Sequence, residues 1–287
     1  MNTRPLNWKR RRRLPTLQTA AATATLGMPL MVAVLTLPSN GLTNPSFLSD
    51  SARSTATIAT SRGQARAECH LPTGHEHADI DPAEFTTKID NPYFPLRPGD
   101  RKVWRETSPD GTRQKIVDLV TRRTKLIANG VTARVVIAKV TGSRGRLVER
   151  TEEWFAQDRA GCVWYFGEDT YKIEDGTINP EGSFEAGVNG AEPGVQMPAH
   201  PKAGMIFRLE GGYLTGAADH TEILSVGKEQ IEVPYGHFEN LVFNRDNTPL
   251  HPKAAELWFY AKGVGGVLAI DISDGDSREE LVRFTRE

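Results

Sequence analysis

The chain has 287 residues and a formal net charge of −1, and that charge is unevenly divided along the sequence. Residues 1–41 contain six Lys and Arg and no Asp or Glu, so the remaining chain holds 29 basic against 36 acidic residues. Because such an acidic body repels phosphate groups, it excludes nucleic-acid binding through a broad basic face.

The first element along the chain, residues 1–41, is predicted to be an export signal. Lys9 and Arg10–Arg13 precede an uncharged stretch from Ala20 to Leu37, and cations followed by an apolar segment are typical of such signals. The stretch is 18 residues long, just enough to span a bilayer as a helix, so an uncleaved N-terminal anchor is the alternative. Either interpretation predicts an extracytoplasmic protein, secreted or anchored at the cell envelope, that meets the membrane only through this segment.

Residues 42–67 are predicted to be a disordered tether, and residues 68–287 a single β-rich domain. Ser, Thr, Ala, Asn and Gly dominate the tether, which has too few large apolar residues to offset the entropy of ordering. Cys69 and Cys162 are the only two cysteines in the sequence. We expect them to form a disulfide, because an exported domain folds in an oxidising compartment.

Turn pairs divide the domain into predicted β-hairpins. Asp110-Gly111, Asn129-Gly130, Asp175-Gly176 and Asp274-Gly275 each lie between runs of β-prone residues, a strong hairpin signal. About ten strands joined by short turns predict an antiparallel meander that curls into a curved half-barrel or a lipocalin-like barrel. A two-sheet β-sandwich is the alternative.

Helical patterns are scarce in this mostly β domain. The segments Pro82–Lys88 and Pro252–Glu256 are each predicted to form one short helix. The first hairpin is expected to pair Lys102–Thr107 with Gln114–Thr121.

Three motifs resemble an uncharacterised family of exported bacterial β-rich proteins. They are Asn91-Pro92-Tyr93-Phe94-Pro95-Leu96, Trp154-Phe155-Ala156-Gln157-Asp158 and Val163-Trp164-Tyr165-Phe166-Gly167-Glu168. Gly187, Gly190 and Met197-Pro198 extend the similarity over most of residues 85–285. Tyr260-Ala261 with Gly263-Val264-Gly265, before a final strand, is similar to envelope lipoprotein-carrier-like half-barrels. These resemblances imply a fold and no activity.

A long connection rich in Gly and Pro, from Glu181 to Lys202, is predicted either to cover a cavity as a lid or to shield a sheet edge. We therefore predict a binding or carrier module for an apolar, amphipathic or lipid-like small molecule, with no catalytic residue, metal or cofactor. The predicted ligand-contacting residues are Trp154, Trp164, Tyr165, Phe184 and Met197.

Two alternatives to the carrier remain open at this point. Carboxylates beside aromatic rings suit a hydrolase, with Glu153, Glu168 and His200 as its candidate residues. Imidazoles close together in sequence suit a zinc or copper site, with His70, His75 and His77 as ligands. The disulfide weakens the second alternative, because it removes Cys69 from the set of metal ligands.

Overall fold

The computed structural model describes residues 68–174, 176–180, 182–212, 218–249, 251–273 and 277–287. The predicted export signal and tether lie outside these ranges, as do the turn residues Asp175, Asp274 and Gly275. Within these ranges, no helix is long and apolar enough to cross a membrane.

The described residues form seventeen β-strands and two single-turn 3₁₀ helices, Pro82–Glu84 and Ser143–Gly145. In chain order the strands are β1 (Phe85–Thr86), β2 (Arg101–Thr107), β3 (Arg113–Leu126), β4 (Thr132–Thr141), β5 (Leu147–Asp158), β6 (Val163–Glu174), β7 (Thr177–Asn179), β8 (Phe184–Glu185), β9 (Gly194–Met197), β10 (Ile206–Arg208), β11 (His220–Val226), β12 (Gln230–Val233), β13 (Gly236–Glu239), β14 (Val242–Thr248), β15 (His251–Ala261), β16 (Gly265–Asp271) and β17 (Ser277–Thr285).

Fifteen of these strands join one sheet, and β12 and β13 form a separate hairpin. The main path of the sheet runs β10-β11-β14-β15-β16-β17-β2-β3-β4-β5-β6-β7, with β1 added beside β5, and with β8 and β9 beside β6. Every pairing is antiparallel, and the ladder does not close within the described residues. The predicted β meander is therefore confirmed, in a form consistent with a curved half-barrel.

The hairpins follow from the turn chemistry of the sequence. Residues on either side of Asn129-Gly130 pair as β3 and β4, and Gly130 has a φ of 91°, which glycine adopts without steric cost. The Asp110-Gly111 turn joins β2 to β3 in the same way, with Lys102 opposite Asp118, inside the predicted pairing.

One predicted helix is wrong and the other is shorter than expected. Pro252–Glu256 lies within β15, which is paired on both sides by β14 and β16. Two ladders and a buried inner face outweigh the weak local preference for a helix. At Pro82–Lys88, the helix stops after Pro82–Glu84, where the Asp81 side chain accepts a hydrogen bond from the Ala83 backbone N–H.

Aromatic contacts show that the sheet is strongly curved. The ring of Phe94 lies 5.3 Å from Phe155 on β5 and 6.3 Å from Tyr260 on β15, measured between ring centroids. Five strands separate β5 from β15 along the ladder, so a flat sheet would hold them more than 20 Å apart at about 4.8 Å per strand. We call the face that carries Phe155 and Tyr260 the inner face.

An N-terminal arm, residues 69–80, joins distant parts of the sheet. At its start Cys69 is disulfide-bonded to Cys162, with a Cα–Cα distance of 6.0 Å, as predicted. Further along, the fully buried guanidinium of Arg208 donates to the arm through Nη1, to the carbonyls of Gly74 at 2.5 Å and Glu76 at 2.8 Å. Its Nε and Nη2 donate to the Pro193 carbonyl at 3.1 and 2.9 Å. Arg208 therefore ties β10 to both the arm and the segment before β9.

The two ends of the sheet approach each other closely at β9 and β10. Glu192 and Gly211 form a single antiparallel bridge, and a Cβ added to Gly194 would lie 2.1 Å from the Leu209 carbonyl oxygen. Such a distance is far below any van der Waals contact. The backbone can pass at this position because residue 194 is glycine.

Replacing both cysteines, as Cys69→Ser with Cys162→Ser, is expected to lower the free energy of unfolding. The bridge links positions 93 residues apart, for which the chain-entropy model sets an upper limit of about 5 kcal/mol. Urea unfolding of both proteins under oxidising and reducing conditions measures the difference. An oxidised parent no more stable than the double variant would contradict the prediction.

Arg208→Lys is expected to destabilise the fold by about 2 kcal/mol or more, because a single ammonium nitrogen lacks the planar fork that reaches the Pro193 carbonyl and the arm carbonyls at the same time. Arg283→Lys, at an exposed position of β17, is the matched control and is expected to change stability by less than about 0.5 kcal/mol. The midpoints of urea unfolding compare the two variants, and equal midpoints would contradict the role given to Arg208.

Candidate functional site

Two cavities border β5 and share no lining residue. Trp154 lines one cavity, and its neighbours Glu153 and Phe155 line the other. The first lies under the connection after β7, and we call it the lid cavity. The second lies against the inner face, and we call it the inner cavity.

The lid cavity has a volume of about 430 Å³. Its apolar wall includes Trp154 of β5, Phe184 of β8 and Val188, and its polar wall includes Lys125 and Glu168. The strands that carry the aromatic motifs and the predicted Gly-rich connection therefore meet at one cavity.

Strand pairing and side-chain bonds hold the connection in place over this cavity. Phe184 pairs with Glu168 on β6. The next carboxylate, Glu185, accepts a hydrogen bond from the Ala128 backbone N–H at 2.9 Å and pairs with Lys125 Nζ at 3.0 Å. The connection thus shields the edge of β6 and also borders a cavity, so both predicted roles describe parts of it.

Trp154 is the most informative residue of the lid cavity. Its side chain is buried, and its Nε1 has no hydrogen-bond partner among the described residues. The ammonium of Lys125 lies 4.4 Å from the centroid of its ring, at cation–π distance. A buried N–H without an acceptor costs about 1–3 kcal/mol, so this position favours a ligand atom that accepts a hydrogen bond.

The inner cavity is smaller, about 80 Å³, and is lined mainly by aromatic rings. The rings at its surface are Phe94, Trp104, Phe155, Trp258 and Tyr260. Trp258 contacts Trp104 at 6.2 Å and Tyr260 at 5.8 Å between centroids. On the other side, Phe155 stacks on Tyr165 at 4.9 Å.

Charged groups interrupt this aromatic lining. Trp104 Nε1 donates to Asp118 Oδ2 at 2.7 Å, and Lys102 Nζ donates to the Gly266 carbonyl at 3.2 Å. Asp100 is 5% exposed, its Oδ2 has no hydrogen-bond partner among the described residues, and burial raises the pKa of its carboxyl. Glu153 completes the charged part of the lining.

Beyond the inner cavity, the same face of the sheet carries an acidic belt. Strand alternation places Glu106 on the face of Trp104 and Glu256 on the face of Trp258. The belt consists of Glu106, Glu149, Asp246, Glu256 and Glu279. Desolvation, and then the nearby carboxylate of Glu279, raise the pKa of Glu256 well above its ordinary value.

The structure brings together three of the five predicted ligand-contacting residues. Trp154 and Phe184 line the lid cavity, and Tyr165 packs edge-on against Phe184 at 5.6 Å. Trp164 is buried elsewhere, with its indole N–H bonded to Asp158 at 2.9 Å. Met197 is fully buried in β9, opposite Val163.

The candidate hydrolase residues do not form one group. Glu153 and Glu168 are cross-strand partners on β5 and β6. Glu153 lines the inner cavity and Glu168 the lid cavity. His200 is exposed in the turn after β9 and lines neither.

The candidate metal ligands do not converge either. His70 and His75 are exposed, and His77 Nδ1 lies 2.8 Å from Glu192 Oε1, an interaction that raises the pKa of His77. Across the described ranges, no group of three or more His, Cys, Asp or Glu residues is placed to hold a metal ion. The metal-site alternative is therefore not supported, because His77 pairs with Glu192 and does not converge with His70 and His75.

Two of the sequence motifs contact each other around a buried amide. Asn91 Nδ2 donates to the carbonyls of Gly161 and Pro198, each at 3.0 Å, and its backbone N–H donates to Gln157 Oε1 at 2.9 Å. Its Oδ1 accepts from the Tyr93 backbone N–H at 2.9 Å. These bonds fix the turn that delivers Phe94 to the inner cavity, so the motifs have a structural role.

Sequence reasoning missed most of the inner cavity. Trp104, Trp258 and Tyr260 lie on strands far from the motif hairpin, and their meeting depends on the curvature of the sheet. The sequence does contain a local signal, because strand alternation places Trp258 and Tyr260 on one face of β15. Phe259, between them, lies on the other face, where its ring stacks on Phe243 at 4.5 Å.

Comparison with known proteins gives no family. No family model matches the chain, and no curated protein matches it. The family resemblance of the motifs therefore stays a prediction.

Two solved structures are similar to part of this chain at low identity. A protein from Bacteroides fragilis, provisionally described as exported with a YmcC-like fold, is 13% identical with a TM-score of 0.40 over 68% of this chain and 99% of its own. A provisionally described lipoprotein from Parabacteroides distasonis is 13% identical with a TM-score of 0.37 over 67% of this chain and 98% of its own.

Glu256→Gln is expected to stabilise the protein at neutral pH. The pKa of the Glu256 carboxyl is higher in the folded state than in the unfolded state. Its contribution to stability is therefore fully present below the unfolded pKa, and it is lost as the pH rises through the folded pKa. The Gln amide does not ionise, so the variant does not lose this stability as the pH rises. Its oxygen can still accept the hydrogen bond from Trp258 Nε1, which lies 2.7 Å from the Glu256 carboxylate in the parent.

Urea unfolding between about pH 4 and about pH 8 measures this effect. The advantage of the Gln variant is expected to grow with pH. The control is Glu232→Gln, at an exposed position of β12, which should show no such trend. A stability difference that stays constant with pH would contradict the assignment.

Proposed function

We propose that this protein is an exported binding or carrier module, and that its lid cavity takes the apolar part of an amphipathic small molecule. The observation that carries the proposal is the buried Trp154 side chain, which lines a cavity of about 430 Å³ and whose indole N–H has no partner among the described residues. Cavities of about 300–1,000 Å³ with apolar walls and few polar groups are typical of small-molecule sites.

The walls of the lid cavity indicate the chemistry of the ligand. The rings of Trp154 and Phe184, with Val188, offer surface for an alkyl or aromatic body. The Trp154 N–H requires an acceptor such as an ester or amide carbonyl. Glu168, Asp169 and Glu185 line the same cavity, and their negative charges disfavour an anionic head group. A neutral amphiphile with a carbonyl group fits these walls.

The export signal and the disulfide support an envelope or extracellular place of action. The leader predicts transport out of the cytoplasm, and the Cys69–Cys162 bridge suits an oxidising compartment. A carrier that works there would meet lipid-like molecules in the envelope.

Binding of monododecanoylglycerol, measured by displacement of the apolar fluorophore N-phenyl-1-naphthylamine from the exported protein, tests the proposal. Trp154→Phe keeps an apolar ring and removes the N–H, so the affinity for the ester is expected to fall about tenfold, the value of one hydrogen bond. Fluorophore binding should change by less than about twofold, because it needs no acceptor contact.

Trp164→Phe is the matched control, since this indole is buried outside the cavity and bonds to Asp158. It is expected to leave both affinities unchanged. Failure of either probe to bind, or equal ester affinity in the parent and the Trp154 variant, would contradict the proposed site.

A further inference from the structure

We propose that the outer side of strands β2–β5, opposite the inner face, docks onto an anionic phospholipid surface. Trp104 lines the inner cavity, so strand alternation turns its neighbour Arg105 to the outer side. This interaction involves the surface of the sheet, and it does not depend on which ligand the lid cavity takes. The cations that we assign to the contact, together called the basic face, are Arg105, Arg113, Lys115, Lys139 and Arg150.

Strand register places the basic face on one side of the sheet. Lys115 on β3 lies directly opposite Arg105 on β2, and Lys139 on β4 lies directly opposite Arg150 on β5. Val117, two residues after Lys115, is the partner of Lys139, so the two pairs share the outer side. The cations therefore follow one another across four neighbouring strands.

Charge is divided between the two sides of this part of the sheet. Strands β2, β3 and β4 contain ten Lys and Arg and only two carboxylates, Glu106 and Asp118. Both carboxylates point inward, since Glu106 alternates with Trp104 and Asp118 accepts from its indole N–H. The outer side of these three described strands thus carries no carboxylate. The acidic net charge of the sequence hides this separation of charge by face.

The two cross-strand pairs of the basic face bring like charges together. Like charges directly opposite each other destabilise a sheet. The arginine of each pair has a carboxylate partner, Glu280 for the first and Glu152 for the second. Lys115 and Lys139 form no ion pair with any described residue. A partner with negative charge would relieve the repulsion, and both lysines are exposed to meet one.

Apolar side chains between the cations favour a lipid over a nucleic acid. Leu119 is 38% exposed and pairs with Ile137 on the outer side, and Val117 lies beside them. Cations beside alkyl groups suit the boundary between lipid head groups and acyl chains. Bases of a single-stranded nucleic acid need aromatic rings for stacking, and the sole aromatic residue of β2–β4 is the inward-facing Trp104.

The basic face continues toward the lid cavity along β5. Strand alternation places Trp154 on the same side of β5 as Arg150. A protein docked through the basic face would therefore hold its lid cavity beside the lipid. The leader predicts a protein outside the cytoplasm, where it would meet such a surface.

Co-sedimentation of the exported protein with lipid vesicles tests the proposal. Vesicles of phosphatidylcholine mixed with phosphatidylglycerol are expected to bind the protein at least about tenfold more strongly than vesicles of phosphatidylcholine alone. Lys115→Glu combined with Lys139→Glu is expected to weaken binding to the anionic vesicles by about tenfold or more. Any contribution of residues 1–41 is common to the parent and the variants.

Two controls separate the face from net charge and from unfolding. Lys228→Glu combined with Lys262→Glu makes the same change of charge at exposed positions outside β2–β5, and binding should change by less than about twofold. The Lys115 and Lys139 variant is expected to keep or raise the midpoint of urea unfolding, because each substitution replaces a like-charge pair by an opposite-charge pair.

A fluorescent label identifies the side of the protein that touches the lipid. A nitrobenzoxadiazole label on Leu119→Cys is expected to shift its emission to the blue with anionic vesicles, because it enters a less polar environment. The same label on Ile206→Cys, at an exposed position of the end strand β10, is the matched control and should not shift.

Equal binding to the two kinds of vesicle, parent-like binding by the Lys115 and Lys139 variant, or a shift at Ile206 without one at Leu119 would each overturn the proposal. Binding to duplex DNA that depends on these lysines, with no binding to vesicles, would overturn it in favour of a nucleic-acid partner. Displacement of the fluorophore from the lid cavity is expected to be the same in this variant as in the parent, so the two proposals fail separately.

Discussion

The fold depends on one buried cation. Arg208 contributes its guanidinium to carbonyls of the N-terminal arm and of Pro193, and so joins β10 to the segment that pairs with β6. Carbonyl groups at the end of a sheet normally accept hydrogen bonds from water. Here the N–H groups of the guanidinium take the place of that water, so no carbonyl acceptor is left unpaired. The sheet is thereby held in a curve, although its ladder stays open in the described residues. Both cavities border strands of this curved sheet.

The two cavities differ in how far the sequence predicts them, since two of the five predicted ligand-contacting residues line the lid cavity and none lines the inner cavity. The lid cavity has its hydrogen-bond donor at Trp154 and its apolar wall on the connection, whereas the inner cavity has its acceptor at Asp100 and its walls on the sheet. A packed series of rings, Phe184, Tyr165 and Phe155, lies between them.

Local chemistry accounts for the parts of the fold that the sequence predicts. The Asn129-Gly130 turn needs a positive φ that glycine supplies, so the hairpin follows from two residues. The disulfide follows from compartment and cysteine count. Pro252–Glu256 could not be assigned locally, because its strand exists through two neighbours that are distant in sequence. The inner cavity is non-local for the same reason, since Phe155 and Tyr260 both contact Phe94 only because the five strands between β5 and β15 curve.

The close passage of β9 along β10 also constrains how this sequence can vary over evolution. At Gly194 even a methyl group would collide with the Leu209 carbonyl, so the position admits one amino acid while the surrounding contacts hold. Apolar core positions can exchange for residues of similar volume with modest loss of stability, whereas Gly194 cannot exchange for any larger residue. Homologues too divergent to be recognised by overall identity are therefore best sought through the spacing of such glycines relative to the buried arginine.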